Sequence, residues 1–278
     1  MNEAAPAPVK RTGARWLVHR VYEFLALYFG LGVLGGLSLA WSILAVPLYY
    51  LMPHAPAVKL GRQAIMAAFR FYLGSLSWIG SCRFDLSALD ELRTSEPVII
   101  APNHPCLLDA FFVLSRMDNV ACILKASIMD NVFLGAGARL AGYIRNDSPL
   151  NMILEAVNEL NNGSHLLVFP EGTRTTRWPV NPFKASVARI AVRSRMPVQT
   201  VFIETASPYL SKGWHLFRRP DMPIHYRVRL GQRFDPPEDH RAFTETLEAY
   251  FVTALQDAPR FLPANAPHAT PSTTAQPL

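Results

Sequence analysis

The chain has 278 residues, half of them hydrophobic and only 17% charged, against about 25% charged in a typical soluble domain; the mean hydropathy is +0.13. This excludes intrinsic disorder over most of the length and points toward contact with lipid. The formal net charge of +6 suits an anionic membrane face, a phosphate-bearing substrate or nucleic acid. Cys82, Cys106 and Cys122 form an odd set with no C-x-x-C pair, so neither a disulfide framework nor a zinc site is written here. Reduced thiols in a cytosol-facing compartment are expected.

Residues 1–15, Pro/Ala-rich and then basic, and residues 259–278, with five of the 23 prolines, read as loose tails. Between Glu23 and Lys59 there is no Asp, Glu, Lys or Arg. The apolar stretch 24–52 exceeds the ~20 residues a membrane span needs and the h-region of a signal peptide. Its 29 residues would reach ~44 Å as one helix, against a hydrocarbon core of ~30 Å, so it must tilt, kink or turn back. Gly30, Gly32, Gly35 and Gly36 offer close-approach surface for a second helix, Pro47 a kink, and 63–80 a partner that Arg70 interrupts. Basic residues flank both ends (Lys10, Arg11, Arg15 and Arg20; Lys59, Arg62 and Arg70), which fits a hairpin with both ends cytoplasmic better than a single span. Residues 16–80 are therefore expected to be membrane-anchoring helices, and 81–258 the functional domain.

In that domain short apolar strands are predicted at 83–86, 97–101, 120–124, 165–169, 198–203 and 225–230, with helices between them. The clearest helix is 150–161, with Leu150, Ile153, Leu154, Val157 and Leu160 at helical spacing, Ser148 and Pro149 at its start and Gly163 at its exit. This alternation predicts an α/β fold, helices covering one sheet.

Two clusters fall at predicted strand ends, where α/β sheets put their sites. After the strand PVIIAP comes Asn103-His104-Pro105-Cys106-Leu107-Leu108-Asp109. Asp109 on a helix start can fix the tautomer of His104, leaving the other nitrogen as a general base; the same residues also suit a capped helical turn. After SHLLVF comes Pro170-Glu171-Gly172-Thr173-Arg174, where Gly172 lets backbone approach a ligand and Arg174 offers a fork for phosphate. The basic run continues through Arg177, Lys184, Arg189, Arg193 and Arg195 with no acid before Glu204; the last three arginines read as a solvated face.

N-H-x-x-x-x-D followed by F-P-E-G-T-R resembles the glycerolipid acyltransferase family, over about 97–203 and with a typical membrane segment upstream. The resemblance implies that family's fold: a mixed sheet flanked by helices, preceded by an N-terminal membrane-inserted helical segment. Gly142-Tyr143-Ile144-Arg145 looks like the family's acceptor-binding arginine block, with Asn146 and Asp147 altering its end. Lys125 matches a basic position near the acceptor phosphate in relatives, and Pro182-Phe183-Lys184 the short Phe-Lys element, with Ser186 in place of Gly. Met196-Pro197-Val198-Gln199-Thr200-Val201 keeps only the first of two prolines.

The resemblance implies acyl transfer from acyl carrier protein or coenzyme A to the hydroxyl of a lysophospholipid, foremost 1-acylglycerol-3-phosphate, giving phosphatidic acid. His104 and Asp109 would be catalytic, and Lys125, Arg145, Glu171, Gly172, Thr173, Arg174 and Lys184 would bind substrate. Glu171 would hold the acceptor hydroxyl or order its loop, and N–H groups of the Gly172 turn or of the helix start after His104 would meet the oxyanion. Another acceptor, a lyso-lipid or a secondary-metabolite lipid, or a non-catalytic binding protein on the same fold, are the alternatives. No metal or cofactor is expected beyond the thioester, and His165, His215, His225 and His240 lack ligand spacing. Cys106 reads as a small buried hydrophobe, and the apolar lead segment argues against nucleic acid. Trp41, Trp78, Trp178 and Trp214 are expected at the lipid headgroups, with the domain on the cytoplasmic face of a bacterial inner membrane.

Overall fold

The computed structural model describes residues 13–256 and 258; the two expected tails lie largely outside the described residues. Helix α1 (Ala14–Leu51) runs unbroken for 38 residues, and α2 (His54–Trp78) returns beside it after Met52 and Pro53. The apolar segment thus turns back, but only after ~57 Å of helix at 1.5 Å per residue. Helix α1 is long and apolar enough to cross a bilayer, and most of its side chains are left uncovered, Leu25 at 66% and Ile43 at 64% exposure. Only Gly30 seats α2 as expected: a Cβ there would lie 3.1 Å from Leu76, whereas Gly32, Gly35 and Gly36 meet nothing within 4 Å.

Past Ser81 the chain alternates as the pattern predicts. The order is β1 (Cys82–Asp85), β2 (Ile99–Pro102), α3 (Asp109–Leu114), β3 (Val120–Leu124), α4 (Ala126–Met129), α5 (Gly135–Leu140), β4 (Ile144–Arg145), α6 (Pro149–Asn161), β5 (His165–Leu167), α7 (Ser186–Ser194), β6 (Val198–Glu204), β7 (Ile224–Phe234) and α8 (His240–Ala254). The strands form one seven-stranded sheet, β1-β7-β6-β2-β5-β3-β4, parallel except between β6 and β7. Neighbouring residues of β2 face opposite layers: Ile99 and Ala101 pack with α6, α7 and α8, Ile100 with the layer of α2 and α3. A strand covered on both faces must be apolar throughout, hence the unbroken run Ile99-Ile100-Ala101-Pro102, all buried.

Most expected strand boundaries shift by a residue or two, and three strands differ in an instructive way. Strand β4 has only two residues, too few to show a period, and was not expected as a strand. Strand β5 ends at Leu167 because Phe169 already carries a turn, its carbonyl accepting from Gly172 N at 3.0 Å. Strand β7 continues to Phe234 through Gly231, where a Cβ would collide with Phe202 at 2.4 Å. In α6 the buried stripe is Met152, Ala156 and Leu160, while Leu150 and Leu154 are exposed.

The helical hairpin is bolted to the domain by small residues and one buried cation. A Cβ on Gly61 of α2 would sit 2.8 Å from Ala141 N, and one on Gly137 of α5 only 2.5 Å from the Trp41 indole, so larger side chains would push these helices apart. Trp41 is therefore a packing residue and not a headgroup anchor; Trp78, 83% exposed, is free to be one. Arg62, counted above among flanking charges, is buried. Its Nε donates to Ala141 O (3.0 Å), Nη1 to Asn119 Oδ1 (2.9 Å) and Ser164 Oγ (2.8 Å), and Nη2 to Glu159 Oε2 (2.8 Å). A buried charge is tolerated only with such full pairing.

Candidate active site

Because β2 and β5 are neighbours in the sheet, the two motif loops leave it side by side. Asn103 closes the first: its Oδ1 accepts from Ile203 N (2.7 Å) and its Nδ2 donates to Ile203 O (3.0 Å), locking the end of β2 to β6. His104 follows, and Asp109 opens α3. The fully buried Asp109 accepts the His104 Nδ1–H at 2.8 Å and the Cys106 N–H at 2.8 Å on Oδ2, and the Cys106 thiol at 2.9 Å on Oδ1. Burial pushes its carboxyl above the usual range, and the His104 and Cys106 hydrogen bonds oppose this. Donation from Nδ1 leaves the lone pair on Nε2, the arrangement of a general base. The ring is further fixed by stacking on Phe169, centroids 3.9 Å apart, with the side chain still 17% exposed.

Glu171 ties the second loop to the first. It is 2% exposed; Oε1 accepts from His104 N (3.0 Å) and Thr175 Oγ1 (2.7 Å), and Oε2 from Asn181 N (2.8 Å). Burial raises its carboxyl, and the bonds from Asn181, Thr175 and His104 lower it. With both oxygens engaged, Glu171 orders the loop, the second of the two roles expected for it. Thr175 N donates to His104 O at 2.7 Å. Asn181, which no motif announced, accepts from Thr176 N, Thr176 Oγ1 and Arg177 N, and donates to Arg174 O. Its only sequence signal was its place beside the Phe-Lys element.

Gly172 has φ +65, and the stem of the exposed Lys184 lies over it so closely that a Cβ would come within 2.8 Å. The positive φ disfavours a side chain there, while the flexible Lys184 chain could swing aside. Thr173 is half-buried beside it. One arm of the Arg174 guanidinium is engaged within the protein: Nη1 donates to Leu210 O (2.8 Å) and Ser211 O (3.0 Å). Three of the N–H groups in the two stretches expected to receive the oxyanion are engaged, Gly172 with Phe169 O, Leu107 with Leu210 O and Cys106 with Asp109.

The acceptor side is more open. Arg145 at the end of β4 is held by Asp130 through two bonds (2.7 and 3.1 Å) and by Asp147. The Arg145 guanidinium accordingly holds the Asp130 carboxyl below the usual range. Lys125 stands exposed at the start of α4. The Cys106 thiol is 1% exposed and pushed well above its ordinary pKa by burial, as a packing cysteine and not a nucleophile. Arg189, Arg193 and Arg195 are exposed, as expected of a solvated face.

Residues 83–204 match the family described as Acyltransferase. Over these residues the chain is similar to that family. Its relatives include the mouse 1-acyl-sn-glycerol-3-phosphate acyltransferase alpha, 24% identical over 84% of this chain and 78% of that one. A Pseudomonas aeruginosa 1-acyl-sn-glycerol-3-phosphate acyltransferase is 21% identical over 66% and 72%. The fold matches the crystal structure of the 1-acyl-sn-glycerophosphate acyltransferase PlsC from Thermotoga maritima, with a TM-score of 0.65, 19% identity, and coverage of 87% of this chain and 96% of that one. In this acyltransferase the departures from the family pattern avoid the His104 and Asp109 pair. Asn146 Oδ1 accepts from Ala126 N (3.2 Å), and Thr200, in place of the second proline, donates to Gln232 O (2.7 Å).

Proposed function

We propose that this acyltransferase is membrane-bound and moves a fatty acyl group from an acyl carrier protein or coenzyme A thioester to the hydroxyl of a lysophospholipid, with lysophosphatidic acid as the acceptor and phosphatidic acid as the product. The observation that carries this is the His104 imidazole, oriented by a buried carboxylate and open at Nε2. As the acceptor oxygen attacks the thioester carbonyl, Nε2 takes its proton, the C–O bond forms and a tetrahedral oxyanion results. Its collapse breaks the C–S bond, and the imidazolium returns the proton to the departing thiolate. The enzyme contributes no nucleophile, and no cofactor is used beyond the thioester. General-base help of this kind is worth about 10²- to 10⁴-fold.

The α1 and α2 hairpin supports a bilayer location, which we place at the cytoplasmic face of a bacterial inner membrane; lipids, and not nucleic acid, are the partners. Lys125 and Lys184 supply exposed positive charge for the acceptor head. A second reading, in which the acceptor is not a phosphate monoester, has a specific observation behind it: Arg145 and Arg174 are already engaged by carboxylates and carbonyls. Purified protein in detergent, given labelled acyl-CoA or acyl carrier protein and a panel of acceptors, tests both. Labelled phosphatidic acid that disappears in His104→Ala supports the first. His104-dependent product on another acceptor alone supports the second, and wild-type turnover in His104→Ala would overturn the mechanism.

A further inference from the structure

The stretch 205–223 between β6 and β7 takes no part in the acyl-transfer steps, yet it is built in an unusual way. From Thr205 to Pro220 it contains no acid but has Lys212, Arg218 and Arg219. Its base is buried at Tyr209, Leu210 and Ser211, while its tip presents Leu216 at 46% and Phe217 at 65% exposure. The tip is nonetheless compact: Trp214 N donates to Ser211 O (3.1 Å), Arg218 N to His215 O (2.8 Å), and the Arg218 guanidinium lies 4.5 Å over the Trp214 ring. Two exposed apolar side chains held in place by local bonds are not the product of disorder.

The tip also leans on α1. Phe217 stacks on Tyr28 with centroids 6.3 Å apart, Arg219 lies 5.8 Å over Phe24 and pairs with Glu23, and Glu23 Oε1 accepts from Met222 N at 3.1 Å. Phe24, Leu25 and Tyr28 are themselves exposed at 44, 66 and 54%. The apolar surface of the loop is therefore continuous with the stripe of α1, and its rim carries Lys212, Arg218 and Arg219 against one exposed acid, Asp221. Such a rim complements anionic headgroups, and arginine and aromatic side chains favour that level of a bilayer.

We propose that 207–219 is a second membrane contact, an interfacial loop that inserts Leu216 and Phe217 beside α1 into an anionic bilayer. This rests on the membrane-bound reading above. The loop connects to the site through two carbonyls: Leu210 O accepts from Leu107 N at 3.1 Å, three residues after His104, and from Arg174 Nη1 at 2.8 Å, and Ser211 O accepts from Arg174 Nη1 at 3.0 Å. Docking the loop thus sets the height of the histidine loop above the lipid, and Arg174 is the positioning residue that transmits it.

The native cysteines are all buried, so single introduced cysteines can be labelled in the full chain. Spin labels on Phe217→Cys, Leu25→Cys and, as an exposed distant reference, Asn162→Cys would be measured in phosphatidylcholine vesicles with and without phosphatidylglycerol, using water-borne and lipid-borne relaxation agents. We expect the labels at 217 and 25 to be shielded from the water-borne agent, 162 to stay accessible, and 217 to lie deeper with phosphatidylglycerol present. Arg218→Gln in the 217 background should reduce the insertion equilibrium by about fivefold. A label at 25 in lipid with 217 in water would overturn the loop and leave the membrane reading intact. Both in water would overturn both.

Discussion

The two halves of the site sit at the same end of one sheet and are built on opposite physics. Around His104, every polar group of Asp109, Glu171 and Asn103 is buried and answered by a specific donor or acceptor. Around Arg145, the ion pairs with Asp130 and Asp147 are exposed, 41% for the arginine and 61 and 50% for the acids. Buried networks hold one geometry because an unmatched member is costly, whereas exposed pairs are weak and exchange with solvent or ligand. The first half is suited to fixed chemistry and the second to an adjustable choice of acceptor.

That contrast can be broken most forcefully at the base. His104→Ala is expected to lower kcat by about 10²- to 10⁴-fold without loss of folded protein, and Asp109→Asn by a comparable factor, since an amide can hold the wrong tautomer. Steady-state rates decide it; a loss below tenfold in either would show that the pair is not the base. Arg62→Ala strips the buried partner of Glu159 and should cost about 3 kcal/mol of stability, visible by thermal unfolding in detergent, with the site chemistry of the remaining folded fraction unchanged. An unaltered melting temperature would show that the hairpin is not held by this hub.

Arg174→Ala removes two charge-assisted bonds worth about 1.5–3 kcal/mol each. We expect kcat/KM to fall by tenfold or more, mainly through kcat because the histidine loop loses its neighbour. A loss confined to KM would make Arg174 an acceptor ligand instead. Asp147→Asn partly releases Arg145, so KM for a phosphate acceptor should drop about two- to fivefold, less at high salt; a KM that rises would mean the pair itself is the acceptor site. The smallest effect belongs to Cys106→Ala, expected within about threefold of wild-type turnover because the alanine keeps the backbone N–H that Asp109 needs; abolished turnover would reopen covalent catalysis.

The sequence by itself determined the α/β alternation, and it pointed to the two-part organisation and to a pairing of His104 with Asp109. Each of these is local: an uncharged run, a period of two or 3.6, a five-residue step from loop to helix. Strand boundaries were legible to within a few residues, except at two-residue β4, which is too short to carry a period. Only the tertiary structure decided what long-range contacts decide. Arg62 reads as a flanking charge until Asn119, Glu159 and Ser164 close on it; Gly32, Gly35 and Gly36 resemble helix-packing glycines, yet a Cβ on any of them would meet nothing within 4 Å. Arg174 reads as a free phosphate fork, yet the carbonyls of Leu210 and Ser211, 36 and 37 residues away, take its Nη1. A residue type states which bonds it can make, but the partner that completes a buried charge is chosen by packing between segments distant in the chain, and no period or motif records that choice.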